Sequence, residues 1–133
     1  MSTLAEKMGL LSEMISFAII DGKIHEREYG FIMLIANELG VDKTALDQLF
    51  HNEIKPATLI SEFDRIQQFY RLALLMHIDG VLHIKEDNAL HEIGIKMGLD
   101  PTAMKQILKM MKQNKNCLID GQMLMSTFAV QNN

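Results

Sequence analysis

The chain has 133 residues, 48% hydrophobic and 23% charged, with a formal net charge of −4 at pH 7. That length suits one domain whose core buries roughly two-thirds of the unfolded surface, and the composition is globular rather than disordered or fibrous. The weak acidity argues against a nucleic-acid partner, no apolar run reaches the ~18 residues that would span a membrane, and a single cysteine, Cys117, excludes an intramolecular disulfide and fits a cytoplasmic location.

The first predicted element runs from about Leu4 to Ile20, with Leu4, Met8, Leu11, Ile15 and Ile19 as its helical apolar stripe. Glu6 and Glu13 interrupt that run and no basic stretch precedes it, so it does not read as a signal peptide. Gly22 stops the helix in a left-handed conformation. A second helix starts near His25 or Glu26 and runs to Leu39, with Phe31, Leu34, Ile35 and Leu39 inward and Gly40 at its end. Asp42 caps a third helix carrying Leu46, Leu49 and Phe50 inward. A connector follows, with Pro56 opening a short turn of helix. Helices are then expected from about Asp64 to Ile78, from about Ile84 to Met97, and after Asp100-Pro101, a strong start signal. A last helix over Leu118 to Phe128 is capped by Asp120, and no strand pattern is present. The expectation is an all-α, compact bundle of about seven to eight helices in a single domain.

The order of elements occurs twice, at an offset of 58 residues without a gap. Identical pairs include Asp21/Asp79, Gly22/Gly80, His25/His83, Glu28/Glu86, Ile35/Ile93, Gly40/Gly98, Asp42/Asp100, Thr44/Thr102, Ala45/Ala103 and Gln48/Gln106. Repeat one covers about 4–51, the connector 52–63, repeat two about 64–112, and a C-terminal segment 113–133. The two repeats are expected to be pseudo-symmetric. Gly94, opposite Ala36, is expected to let two helices approach closely.

Both repeats contain Asp-Gly-x-[Ile/Leu]-x-x-x-Glu. This is also the second half of an EF-hand loop, which needs oxygen ligands two and four residues before the Asp. Those positions hold Ile19 and Phe17 in one copy and His77 and Leu75 in the other, so the EF-hand reading fails.

Two such motifs in register, each followed by Leu-Gly or Met-Gly and a capped helix, resemble the TerB-like family of tellurite-resistance operons. Relatives of that family include the N-terminal region of a DnaJ-like membrane co-chaperone. The resemblance covers about Leu10 to Met111. It implies an all-α bundle, a setting in stress response, a protein partner, and the motif acids as ligands of a divalent cation. Carried onto this chain, the metal candidates are Asp21, Glu28, Asp79 and Glu86. The chain departs from the family at His25 and His83, where an acid or hydroxyl is frequent, and it has no His-Pro-Asp. The co-chaperone role therefore does not carry over.

Two uses of these acids stay open. Turn chemistry accounts for all four: an Asp at a tight turn accepts backbone N–H bonds, and Glu28 and Glu86 stand in the glutamate slot of a capping box. Alternatively, four carboxylates brought together need a cation to offset their repulsion, and all-oxygen ligation favours calcium or magnesium over zinc.

Other polar residues carry less. His83, Asp87 and His91 share a helix face but span about 12 Å, too far for one ion. His77 reads as a hydrogen-bonded, half-buried histidine. Lys105, Lys109, Lys112 and Lys115 read as the solvated face of a helix. The eleven methionines suit core filling, with those near the C-terminus as a candidate contact surface. There is no phosphate loop, nucleophile elbow or HExxH. The function expected is a non-catalytic binding module. A purely structural adaptor, and an enzyme with its site between the repeats, remain alternatives, and self-association stays open.

Overall fold

The computed structural model describes residues 3–20, 22–52, 59, 61–78, 84–114 and 118–131, with side chains as far as Ala129. Those residues form seven helices and no strand: α1 (Leu4–Ala18), α2 (Glu26–Glu38), α3 (Lys43–Leu49), α4 (Glu62–His77), α5 (Ile84–Lys96), α6 (Pro101–Gln113) and α7 (Gly121–Gln131). The fold is all-α, as the patterning requires.

Local chemistry sets the boundaries. Thr3 accepts from Glu6 N at the start of α1, Asp42 from Ala45 N at α3, and Asp100 from Ala103 N at α6. Each satisfies an amide that a helix start leaves without a partner. At the other end of α2, Gly40 N donates to Asn37 O and Val41 N to Ala36 O, with Gly40 at φ 79°. Gly98 does the same after α5, at φ 80°, through Ile95 O and Gly94 O. This paired bonding closes a helix only with a left-handed residue at the turn, which glycine adopts without strain.

The 58-residue offset recurs in the helix starts: Leu4 and Glu62, Glu26 and Ile84, Lys43 and Pro101. The expectation of a connector to residue 63 is corrected at its end. Ser61 caps α4 by accepting from Asp64 N, so the helix begins at Glu62 rather than Asp64. The final helix also sits later than expected, at Gly121–Gln131. Pro56 lies outside the described residues.

The core is built around α1 and α4. Helix α1 packs against α2, α3, α4 and α5, and α4 packs against α1, α5 and α7. They contribute Leu11, Met14, Phe17, Ile66, Phe69, Leu72 and Leu75 to a buried cluster that α2, α3, α5 and α6 complete with Ile32, Leu46, Leu90, Met104 and Ile107. Three residues expected inward are not: Leu4, Ile19 and Leu34 are exposed. Leu4 and Ile19 flank the two ends of α1, where the stripe runs past its packing partners, and Leu34 lies one position short of the buried pair Ile35 and Ala36. At the C-terminus, Phe128 meets the ring of Phe69 edge-on, at a centroid distance of 6.2 Å. The segment before α7 is tied to α4 by Ile119 N donating to Tyr70 Oη at 2.7 Å.

Gly94 holds α5 against α6. A Cβ there would sit on Met104 Sδ and touch the Phe69 ring. Both neighbours are fully buried, so glycine is what lets the helices meet.

Candidate functional site

Of the four candidate metal ligands, Glu28 and Glu86 are described, and Asp21 and Asp79 lie outside the described residues. Glu28 and Glu86 occupy the first turns of α2 and α5 and are 2% and 1% exposed. Burial of a carboxylate is uncommon and requires compensation. Glu28 Oε1 accepts from His25 N at 3.0 Å, which ties its side chain back over the start of α2. Among the described residues, no group of three or more His, Cys, Asp and Glu side chains is placed to hold a metal ion.

A different cluster forms where the end of α4 meets α5 and α6. His77, Asp87, His91, Lys105, Lys109 and Lys112 line a cavity of about 260 Å³, floored by Met76 and Leu108. Its size lies just below the roughly 300–1,000 Å³ of small-molecule sites. His91 Nε2 lies 3.7 Å from Asp87 Oδ1. The ring of His77 is fixed by Nδ1, 2.9 Å from Ala73 O. A carbonyl only accepts, so Nδ1 carries the proton. Nε2 of His77 is buried with no hydrogen-bond partner among the described residues, an arrangement that costs about 1–3 kcal/mol when nothing compensates it. The expected hydrogen-bonded, half-buried histidine is thus found, with one nitrogen left over. The three lysines are exposed, as a solvated face requires. What spacing alone did not reveal is that they face two histidines across a cavity.

At the equivalent place in repeat one, two rings and an acid are in contact. Tyr29 stands where repeat two has Asp87, Phe50 where it has Leu108, and Asp47 where it has Lys105. The Tyr29 and Phe50 rings lie 5.6 Å apart, and Tyr29 Oη donates to Asp47 Oδ1 at 2.7 Å. Lys43 Nζ closes the other carboxylate oxygen at 2.8 Å. Those two contacts, the Lys43 hydrogen bond first, hold the Asp47 carboxyl below its ordinary pKa. In repeat two the aromatic pair is gone and an acid has become a lysine. The difference between repeat mates is the sequence signal that marks the cavity.

A shallow groove also runs between the start of α4 and α7, lined by Phe63, Met125 and Ala129. Phe63 and Met123 are exposed there and nearby, while Met104 and Met111 are fully buried core residues. Cys117, Lys115 and His83 lie outside the described residues.

No helix among the described residues is long and apolar enough to cross a membrane. No protein-family model, curated protein or solved structure matches the chain.

Proposed function

We propose that this chain is a non-catalytic, TerB-like helical module that binds a divalent cation, a protein partner or both, in a cytoplasmic stress response. The observation that carries the reading is the paired burial of Glu28 and Glu86 at matching positions of the two repeats. Each follows an Asp-Gly turn by the same spacing. Buried acids repeated at duplicate turns suit hard-ion ligation, with Asp21 and Asp79 as the remaining donors and calcium or magnesium as the fitting ions.

A second reading is favoured by the bond from His25 N to Glu28 Oε1. A carboxylate used this way caps its helix, and a chain whose acids only cap is an adaptor domain without a metal.

Thermal melting separates the two. For protein stripped with EDTA, an ion present at ~100 times its dissociation constant adds about 2.7 kcal/mol, a Tm rise of roughly 5–10 °C at this size. A rise with calcium or magnesium that vanishes in the Asp21→Asn, Asp79→Asn double variant supports the cation module. The absence of a rise with any ion, in protein that melts cooperatively, leaves the adaptor.

A further inference from the structure

We propose that the cavity between α4, α5 and α6 is a binding site for a small phosphate-type anion, either free phosphate or a phosphomonoester. This goes beyond the cation reading and does not depend on it.

Charge is the first ground. Among the described residues, Lys105, Lys109 and Lys112 bring three cations to a cavity whose lining holds one carboxylate, Asp87, on a chain of net charge −4. A local positive excess on an acidic protein concentrates a multivalent anion at that place. The lysines follow one another at helical spacing along α6, so they line one face. Lysine binds phosphate as a point charge, without the planar fork that a carboxylate-specific arginine site uses.

Imidazoles are the second ground. His91 and His77 complete the lining beside the lysines, and an imidazole N–H is a donor from which a phosphate oxygen accepts.

Comparison within the chain is the third. At the equivalent positions of repeat one, Tyr29 packs its ring against Phe50 and donates to Asp47. Repeat two replaces bulk with Asp87 and Leu108, and replaces acid with Lys105. Loss of the two rings makes room, and Lys105 in place of Asp47 adds positive charge, against which Asp87 in place of Tyr29 brings one carboxylate. The size of the cavity, about 260 Å³, admits a phosphate with at most a short organic group.

The test is a phosphorus NMR titration of inorganic phosphate and, separately, glycerol 2-phosphate into the full chain, in HEPES with ionic strength held by sodium chloride. Two double variants accompany it: Lys105→Gln with Lys109→Gln in the cavity, and Lys7→Gln with Lys23→Gln in repeat one, which removes the same charge elsewhere. Circular dichroism checks that both fold. The proposal expects saturable binding to wild type, retained in the repeat-one variant and weakened about tenfold or more in the cavity variant, equivalent to ~1.4 kcal/mol. Binding of phosphate alone assigns the free ion, and binding of both assigns a monoester site. No saturable binding to wild type overturns the proposal. So does equal weakening in the two double variants, which would make the attraction one of net charge.

Discussion

Gln68 donates from Nε2 to the carbonyl oxygen of Leu10, the residue 58 positions before it, at 3.2 Å. The same nitrogen lies 3.0 Å from Glu13 Oε1, and Arg71 Nη1 donates to Gln68 Oε1 at 3.3 Å. Leu10 and Gln68 are repeat mates, and so are Glu13 and Arg71. The seam between α1 and α4 therefore carries a polar chain made of equivalent positions. Gln68 is fully buried at its centre.

Replacing Gln68 by leucine keeps the volume and removes the links. Glu13 then loses its donor in a largely buried place. The expected loss is about 1–3 kcal/mol, or a Tm lower by roughly 3–10 °C, read by circular dichroism at pH 7. A change below ~1 °C would mean that water takes over the bonds.

Glu13 itself is held above its ordinary pKa, first by burial, against which the Gln68 hydrogen bond acts. The folded state thus holds its proton more tightly than the unfolded state. Stability from this group is greatest at low pH and falls as pH rises from the ordinary glutamate value through the raised one. Glu13→Gln keeps an acceptor for Gln68 and removes the charge. The variant is expected to melt a few degrees higher than wild type at pH 7, with the difference shrinking towards pH 4. An equal gain at both pH values would remove Glu13 ionisation as the cause.

Two helical glycines should respond oppositely to alanine. Around Gly30, in α2, a Cβ meets nothing within 4 Å, so Gly30→Ala gains helix propensity and should stabilise by about 0.5–1 kcal/mol. Gly94→Ala drives its methyl into Met104 and Phe69, and overpacking costs about 1–3 kcal/mol, more than propensity returns. Urea midpoints should move up for the first and down for the second. Movement in the same direction would show that Met104 has room to swing aside.

Asp42 and Asp100 cap α3 and α6 by the same bond, at 2.8 and 2.9 Å. Each change to alanine should cost about 1 kcal/mol. The caps sit in different repeats, so the double variant should lose close to the sum. A double loss clearly below the sum in equilibrium unfolding would show that one repeat opens before the other.

The all-α class, the capping residues and the turn glycines were legible because each rests on local chemistry: an Asp three residues before an amide, or a Gly where φ is positive. The start of α4 was misplaced by two residues because Ser61 caps weakly, at 3.4 Å, and the apolar period begins only later. Leu34 looked inward because a helical stripe has width, and only its neighbours decide which edge is covered. The buried places of Glu28 and Glu86 were half legible. Their spacing announces a cap, but burial follows from what the rest of the chain lays over them. The cavity was not legible residue by residue. Lysines on a helix face look alike whether they meet water or two histidines on other helices. Only the contrast of Tyr29, Phe50 and Asp47 with Asp87, Leu108 and Lys105 points to it, and that contrast has meaning once the packing around both sets of residues is known.

The contact of Gly94 with Met104 has a counterpart in repeat one. Repeat one sets Ala36 and Leu46 at the matching positions, both without exposure. One half divides the available volume as methyl and branched side chain, and the other as hydrogen and a longer thioether. A lineage passing from the first arrangement to the second meets two intermediates. Alanine with methionine overfills the space, whereas glycine with leucine leaves a gap, and a core already closed on all sides forgives a small gap more readily than a collision. The order of substitution that keeps the chain folded throughout is therefore loss of the methyl first, and lengthening of its neighbour second.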